Sequence, residues 1–276
     1  MKQLYITDLD HTFLHSNQSV SPFSRDIWNE IAQNKRLTVA TARGFNKTHE
    51  FLKGMTLNTP IILLDGAMIV TPEKELIDVK TLDKEISDAV INEGAKSNLY
   101  PFVISLDNHK TLEESFALPP IMSYFQSTLI EKSYKTDPRI RYVDKIKGVE
   151  DTLKIVYMDS EDALRPLAEQ LKKVFGDKLE IKLAPENYMK CYFLTILHPL
   201  GDKANALKIL CEYLNISHQD TTVFGDGLND IEMFKLAGTS VAVSNALDSL
   251  KKEASIISKL SNDEDAVVKY LQSIKS

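Results

Sequence analysis

Near its start the chain reads Leu4-Tyr5-Ile6-Thr7-Asp8-Leu9-Asp10-His11-Thr12-Phe13-Leu14, and this stretch decides the fold. Its first three residues are apolar and favour strands, which is typical of a strand buried on both faces of a parallel sheet. Residues i and i+2 of an extended segment point the same way, so the carboxylates of Asp8 and Asp10 share one side. The stretch therefore predicts a buried parallel strand that ends in two neighbouring carboxylates.

The two carboxylates have two interpretations. Carboxylates that lie close together repel each other unless a cation or a proton sits between them. In an open α/β sheet, ligands bind at the carboxyl ends of the strands. The pair therefore indicates a divalent-metal site in which one carboxylate is free to act as nucleophile or base. The alternative is a solvated loop in which Asp8 or Asp10 caps a turn, and the pair alone does not decide between them.

The composition is ordinary for a soluble globular protein. The 276 residues suffice for one large or two modest domains, with 43% hydrophobic and 26% charged residues. The net charge of −6 argues against a nucleic-acid partner, and no apolar run approaches the roughly 18 residues of a membrane span. A strand at Leu4 leaves no room for a signal peptide, and Cys191 and Cys211 lie in apolar contexts typical of buried free thiols. These features predict a cytoplasmic protein with no membrane partner and no obligate protein partner.

A helix and a second strand follow the first strand. Ser21 and Pro22 predict a helix start, with the serine as N-cap and the proline at the first helical position. Residues 37–44 are predicted to form a strand that ends in a polar turn. There Thr41 supplies a hydroxyl and Arg43 a fixed cation, and both groups suit a phosphate. The alternative for Thr41 is the N-cap of the next helix.

A third strand, residues 61–64, runs into Asp65-Gly66-Ala67. Gly66 permits a tight turn or a close approach of the backbone to a ligand. Strands and helices have alternated up to this point. This βαβ pattern predicts a parallel sheet with right-handed crossovers.

The chain changes character near residue 80. Helical periodicity or strand-like runs occur at residues 82–97 (helix), 100–106 (strand), 153–158 (strand), 163–175 (helix), 179–183 (strand) and 192–197 (strand). A turn at Pro185-Glu186-Asn187 would join the last two strands. Two helices and about four strands predict an α+β unit inserted into the parallel sheet. Residues 122–130 favour a further helix, and the stretch after them is loop-like.

The parallel-sheet pattern resumes at Gly201. Asp202 is predicted to cap a helix whose first turn contains Lys203. A cation is disfavoured there by the helix dipole, so this lysine suggests a nearby anion. The alternative is a solvated surface lysine.

A second acidic turn, Gly225-Asp226-Gly227-Leu228-Asn229-Asp230, follows the strand at residues 221–224. Two glycines let the turn fold tightly, and Asp226 can point into the same crevice as Asp8. Asp230 could instead only cap the next helix. The acidic run at residues 261–265 is most simply a solvated helix N-terminus.

Four motifs together resemble those of the haloacid dehalogenase (HAD) superfamily of phosphatases, and most closely its Cof-like subgroup with a class IIB α/β cap. Residues 8–12 look like the first motif, DxDxT, and residues 40–43 are similar to the second, which supplies a hydroxyl. Lys203 stands where the family has its lysine, and residues 225–230 match the GDxxND form of the fourth motif. Any one motif is weak. All four in this order, with a cap-sized insertion between the second and third, cover nearly the whole chain.

The resemblance implies an α/β fold: a Rossmann-like three-layer parallel-sheet core with an inserted α+β cap domain. The core is expected at residues 1–80 and 192–276, and the cap at residues 81–191. The cap would close over the crevice and determine the choice of substrate. Candidate contacts are Asn187, Tyr188 and Met189, for which an ordinary polar turn is the alternative.

The resemblance also implies an activity, the hydrolysis of phosphomonoesters with Mg²⁺ through an aspartyl-phosphate. Asp8 would attack phosphorus, and Asp10 would act as general acid and then as general base. Thr41 and Lys203 would bind the phosphoryl oxygens. Small phosphorylated metabolites such as sugar phosphates are the implied substrates, with flavin mononucleotide and pyridoxal phosphate as rivals.

The implied Mg²⁺ site consists of oxygen ligands. Asp8, Asp10 through its backbone carbonyl, and Asp226 would hold the ion together with waters. Asp230 would orient the metal's waters and the lysine, or bind the ion directly. Further phosphate-binding residues would be, in chain order, Leu9, Arg43 and Asn229.

Three residues depart from the family pattern. His11 replaces a usual glycine, Asp65 replaces the asparagine of an Asn-Gly-Ala turn, and Asp202 replaces a serine. His11 adds bulk and a titratable ring, and the two aspartates add negative charge near a crevice meant for phosphate. Two other functions stay open: a phosphotransferase or phosphomutase with the same motifs, and a catalytically weak protein that binds phospho-ligands. A phosphate-accepting receiver domain would be much shorter than this chain.

Overall fold

The computed structural model describes residues 3–186 and 189–274, which divide into two compact units. The core unit joins the chain up to Asp78 with the chain from Asp202 onward, and the inserted unit is Val79–Gly201. Among the described residues, no helix combines the length and the apolar character needed to cross a bilayer.

Strands and helices occur throughout the described chain. The strands are β1 (Leu4–Thr7), β2 (Arg36–Val39), β3 (Ile61–Leu63), β4 (Met68–Val70), β5 (Leu76–Val79), β6 (Phe102–Asn108), β7 (Glu113–Leu118), β8 (Ile140–Tyr142), β9 (Thr152–Asp159), β10 (Glu180–Glu186), β11 (Cys191–Leu197), β12 (Thr221–Gly225), β13 (Thr239–Ala242) and β14 (Ile256–Ile257). The α-helices are α1 (Pro22–Ala32), α2 (Phe45–Phe51), α3 (Lys84–Ala95), α4 (Tyr124–Leu129), α5 (Glu161–Phe175), α6 (Lys203–Leu214), α7 (Ile231–Leu236), α8 (Asp248–Lys251) and α9 (Ala266–Ser273).

A parallel sheet forms the middle layer of the core unit. Its strand order is β14-β13-β12-β1-β2, and each neighbouring pair is parallel. A parallel bridge between Ala40 and Ile62 extends the sheet toward β3. Leu4 and Ile6 pack with residues of α6 and α7 on one face. On the other face Phe224 contacts Tyr270 of α9 with ring centroids 5.3 Å apart, and α9 packs against α1. The predicted three-layer α/β core is confirmed.

Two helix starts in the core unit are encoded locally. Ser21 caps α1 by accepting a hydrogen bond from the Ser24 N–H, and Pro22 is the first helical residue. The Asp202 carboxylate accepts two backbone N–H groups in the first turn of α6. Such caps satisfy N–H groups that have no partner within the helix, so both predicted starts are confirmed.

The inserted unit is built on a sheet with the strand order β10-β11-β9-β6-β7-β8. Its pairs are antiparallel except for the parallel pair β7–β8. Residues of α3 and α5 share a buried cluster with one face of the sheet, which includes Val90, Ile155, Leu164 and Leu194. Helix α4 is the predicted further helix. The sequence did not predict β7, which buries the charged Glu114, or β8, which has only three residues.

The boundary predicted between residues 191 and 192 is wrong. Strand β11 pairs with both β9 and β10, so the inserted unit continues to Gly201. The predicted turn at residues 185–187 is also wrong for Pro185 and Glu186, which lie in β10. This strand lies at the edge of its sheet, where a proline is tolerated better than in a central strand. Asn187 lies outside the described residues.

The acidic run at residues 261–265 is not simply a solvated helix N-terminus. The Asp265 carboxylate is 15% exposed and accepts the hydroxyl hydrogens of Ser21 at 2.6 Å and Ser24 at 2.8 Å. His15 Nε2 lies 2.9 Å from the same oxygen. The side chain therefore ties the start of α9 to the segment that follows β1, a contact between residues about 250 positions apart.

We expect Gly66→Ala to destabilise the core unit strongly. Gly66 has φ +113°, and an added Cβ would lie 2.2 Å from the backbone carbonyl of Asp202. Steric overlap of this kind adds to the backbone strain, so the loss should exceed about 3 kcal/mol in urea denaturation. Gly54→Ala is the matched control, because Gly54 has φ +82° but its Cβ would meet only the Arg25 side chain at 3.5 Å. That control should lose about 1–2 kcal/mol. Equal losses would show that the close approach at Gly66 is unimportant.

Candidate active site

The polar residues predicted from the sequence converge at one edge of the parallel sheet in the core unit. Asp8 follows β1, Thr41 follows β2, Asp65 follows β3 and Asp226 follows β12. Parallel strands present their carboxyl ends at the same edge, which is where open α/β sheets bind ligands. The arrangement follows from strand order alone.

A buried lysine lies between two carboxylates at this edge. Lys203 Nζ lies 2.6 Å from Asp8 Oδ1 and 2.7 Å from Asp230 Oδ1. The side chains of Lys203 and Asp230 are 0% exposed. Lys203 is therefore not the solvated surface lysine of the alternative interpretation. A buried charge is tolerated only when it is paired, and this one has two partners.

Lys203 and Asp8 shift each other's pKa. Burial lowers the pKa of Lys203, but the Asp230 and Asp8 carboxylates outweigh burial, so its pKa lies above the usual value and the ammonium keeps its proton. Burial also raises the pKa of Asp8 well above its usual value. The Lys203 charge opposes this rise, whereas the neighbouring carboxylates add to it. Lys203 therefore favours the Asp8 anion, but burial and the neighbouring carboxylates together outweigh its effect on the pKa.

A candidate metal site shares two of these carboxylates. Asp8, Asp226 and Asp230 each offer an oxygen, and these oxygens all lie within 4.8 Å of one another. Carboxylate oxygens are hard ligands that suit Mg²⁺, so the residues present fit the implied ion. Burial and then the Asp230 charge raise the pKa of Asp226 to about 7, while the hydrogen bond from Thr12 and the Lys203 charge oppose this rise.

Asp230 also holds the acidic loop in shape. Its Oδ2 accepts the backbone N–H groups of Asp226 and Gly227, both at 3.1 Å, and its side chain makes no capping bond to α7. A Cβ on Gly225 would lie 2.5 Å from the Asp230 carboxylate. The first glycine of the loop therefore makes room for this carboxylate. The alternative role of Asp230, a simple cap of the next helix, does not describe its contacts.

Asp10 has a different partner. Its carboxylate accepts two hydrogen bonds from Arg43, at 2.8 Å from Nε and 2.5 Å from the terminal nitrogen. The Arg43 guanidinium also stacks over Phe51, 4.4 Å from the ring centroid. Arg43, predicted as a phosphate contact, is thus held beside Asp10. The sequence did not predict this ion pair.

Two departures from the family pattern occupy left-handed backbone positions. His11 has φ 57° and Asp65 has φ 63°. Glycine adopts such angles freely, and His, Asp and Asn are among the few other residues enriched there. Placing a residue with a Cβ there costs about 1–2 kcal/mol, so the turn after Asp10 is strained. The Thr12 hydroxyl anchors this turn by donating to Asp226 Oδ1 at 2.8 Å.

Two asparagines that the sequence did not single out also hold this turn. Asn245 Nδ2 donates to the His11 carbonyl at 2.8 Å, and Asn245 Oδ1 accepts the Asn262 N–H at 2.9 Å. Asn262 Nδ2 donates to the Leu14 carbonyl at 2.9 Å. Each asparagine lies more than 230 positions from the residue of the turn that it contacts, so no local sequence pattern predicts these bonds.

The remaining predicted residues lie at the same edge in different settings. Leu9 is fully buried, so only its backbone could meet a ligand. Thr41 is also buried, and its hydroxyl accepts the Arg43 N–H at 3.2 Å. Asn229 donates to Asp65 Oδ1 at 3.2 Å.

Two other predictions concern Asp202 and residues 187–189. The Asp202 carboxylate serves mainly as a helix cap. Met189 belongs to the inserted unit, and Asn187 and Tyr188 lie outside the described residues.

Comparisons with known proteins show which proteins this chain resembles. A 5-amino-6-(5-phospho-D-ribitylamino)uracil phosphatase of Bacillus subtilis is 26% identical over 289 residues, covering 98% of this chain and 96% of its own. An HMP-PP phosphatase of Cronobacter sakazakii is 25% identical over 255 residues, covering 92% and 88%. A haloacid dehalogenase-like hydrolase structure from Bacteroides thetaiotaomicron matches with a TM-score of 0.80 at 22% identity, covering 99% of this chain and 100% of that one. The family model for haloacid dehalogenase-like hydrolases matches residues 5–271, and the chain therefore belongs to this family.

Proposed function

We propose that the protein is a Mg²⁺-dependent phosphomonoester hydrolase that acts on small phosphorylated metabolites through an aspartyl-phosphate on Asp8. The observation that carries this proposal is the buried Lys203 between Asp8 and Asp230, with Asp226 within reach of both carboxylates. Membership of a hydrolase family supports it. So do the two relatives named as phosphatases of small phosphorylated compounds.

Asp8 is the proposed nucleophile. A carboxylate oxygen of Asp8 forms a bond to phosphorus while the bond from phosphorus to the leaving oxygen breaks. A carboxyl group this deeply buried would ordinarily be protonated and unreactive, because burial raises its pKa. The ammonium of Lys203, 2.6 Å away, favours the anion that the attack requires.

Asp10 is the proposed general acid and base. Its carboxyl proton goes to the leaving oxygen in the first step, and its carboxylate takes a proton from the attacking water in the second. That water breaks the bond between Asp8 and phosphorus and releases inorganic phosphate. The two hydrogen bonds from Arg43 fix the plane of the Asp10 carboxylate.

A divalent cation and nearby donors would balance the negative charge. Asp8, Asp226 and Asp230 would hold Mg²⁺, with the Asp10 carbonyl as a further ligand, and the ion would supply positive charge between an anionic nucleophile and an anionic substrate. The phosphoryl oxygens would be bound by four side chains and one backbone group, in chain order Leu9 (backbone), Thr41, Arg43, Lys203 and Asn229. The inserted unit, including Met189, is our candidate for the part that determines substrate choice.

We expect Asp8→Asn to abolish the hydrolysis of phosphomonoesters, because an amide cannot form the acyl phosphate. Phosphate release should be measured with Mg²⁺ on sugar phosphates, flavin mononucleotide, pyridoxal phosphate and the phosphorylated compounds named for the two relatives. The loss should be at least about a thousandfold in kcat.

The matched control is Asp26→Asn, on an exposed position of α1, which should keep full activity. Release by the wild type should stop when EDTA removes the metal. A folded wild-type protein that releases no phosphate from any of these compounds would contradict the proposed function.

We expect Mg²⁺ to stabilise the protein more at high pH than at low pH. The pKa of Asp226 is raised to about 7 from 3.8, so the folded chain holds this proton more tightly than the unfolded chain does. As the pH rises from about 4 to above about 7, Asp226 loses this proton, and the metal-free protein becomes less stable. Mg²⁺ compensates by replacing the proton. The rise in Tm on adding Mg²⁺ should therefore be larger at about pH 8 than at about pH 5. Asp226→Asn should remove most of this difference, and an equal increase in Tm at both pH values would refute the site.

We expect Lys203→Met to destabilise the metal-free core unit by about 3–5 kcal/mol, because it leaves two buried carboxylates without their cation. Urea denaturation measures the loss. The control is Lys235→Met, which removes a lysine that is 48% exposed and pairs with Glu232 on the surface of α7. Its cost should stay below about 1 kcal/mol. Similar losses for both variants would mean that the buried ion pairs of Lys203 stabilise the protein no more than a surface ion pair does.

A further inference from the structure

We propose that Asn245 is a positioning residue for Asp10 and acts through the backbone carbonyl of His11. The inference rests on the proposed function, in which Asp10 gives a proton to the leaving oxygen. Asn245 follows β13 and comes from the far end of the core unit's chain. Its amide nitrogen lies 2.8 Å from the carbonyl oxygen of the residue directly after Asp10.

The side chain of Asn245 links two backbone segments, one at His11 and one at Asn262. Its Oδ1 accepts the Asn262 N–H at 2.9 Å, so the amide group is oriented before it donates to His11. Asn262 is itself buried and holds the Leu14 carbonyl, which lies at the other end of the same turn. The two asparagines thus fix the turn after Asp10 at both of its ends.

The turn needs such support because its backbone is strained. His11 has φ 57°, a left-handed angle that disfavours a residue with a Cβ. The hydrogen bond from Asn245 ends on the carbonyl of this strained residue. Without it, the peptide group after His11 can rotate toward an ordinary backbone angle, and the rotation would swing the neighbouring Asp10 away from the oxygen that it must protonate.

The position of Asn245 argues against a purely structural role. Its side chain is exposed, whereas hydrogen bonds that stabilise a fold most are buried. An exposed side chain with two hydrogen bonds, one to the strained His11 carbonyl and one from the Asn262 N–H, contributes little to folding. The geometry of Asp10 is what this contact controls.

The chain offers a matched control in Asn29. Its Nδ2 donates to the Gly54 carbonyl at 2.9 Å, and its Oδ1 accepts the Thr56 N–H at 2.7 Å. It therefore makes the same two kinds of bond in the same unit, but it joins α1 to a loop outside the candidate site. Asn29→Leu should leave catalysis unchanged.

The test compares two substrates that differ in how much they need an acid. A p-nitrophenyl phosphate has a good leaving group that departs without a proton, whereas an alkyl phosphate needs one. We expect Asn245→Leu to lower kcat/KM about tenfold for the alkyl phosphate and less than about twofold for p-nitrophenyl phosphate. Asn245→Asp should show the same selective loss, because it keeps the acceptor but lacks the donor. Tm should change little in both.

A double variant checks the proposed route through the backbone. Glycine holds a positive φ without strain, so His11→Gly should make the turn less dependent on Asn245. The loss caused by Asn245→Leu in the His11→Gly background should therefore be smaller than in the wild type. An undiminished loss would overturn the route through His11.

Reference variants separate failure of this inference from failure of the proposed function. Suppose that Asp10→Asn strongly prefers p-nitrophenyl phosphate, but Asn245→Leu lowers kcat/KM equally for both substrates or for neither. This result overturns the positioning role alone. An Asp10→Asn variant without that preference overturns the acid role of Asp10 and the inference with it. Full activity in Asp8→Asn overturns the proposed function itself.

Discussion

The pairing of one buried ammonium with two buried carboxylates is the interaction on which the site depends. Lys203 neutralises charges that Asp8 and Asp230 could not carry alone at this depth. Asp230 in turn holds the backbone of the loop that carries Asp226. One cation therefore governs both the ionisation of the proposed nucleophile and the shape of the proposed metal loop. This dependence explains why a lysine stands in the first turn of α6, where the helix dipole opposes it.

Strand order brings these groups together, and tight backbone geometry sets their final positions. Gly66 passes close to the Asp202 carbonyl, Gly225 makes room for a carboxylate, and His11 takes an angle that suits glycine better. Each close approach leaves little freedom to the side chains beside it. The candidate site is thus held by backbone constraints, and polar side chains such as Asn245 and Arg43 complete it from other segments of the chain.

Features encoded by neighbouring residues could be predicted, and features that depend on distant partners could not. The apolar run at β1, the Ser21 cap and the paired Asp8 and Asp10 are local patterns. The unfavourable helix dipole at Lys203 likewise predicts a nearby anion. Strand β7 was missed because one of its two charged residues, Glu114, is buried in an ion pair with Arg139, 25 positions away. The Arg43–Asp10 pair and the two asparagines escaped for the same reason, since spacing in the sequence carries no information about such partners.

The interruption of the core unit by the inserted unit also has a consequence for the timing of folding. Strand β1 lies between β2 and β12, so one of its neighbours is made only after the whole of Val79–Gly201. At roughly 5–20 residues per second of synthesis, β1 waits on the order of ten seconds with one edge unpaired. Leu4 and Ile6, which are fully buried in the finished protein, stay uncovered during this interval. A growing chain of this design therefore exposes an apolar strand edge until late in translation, and it needs protection from neighbouring chains for that time.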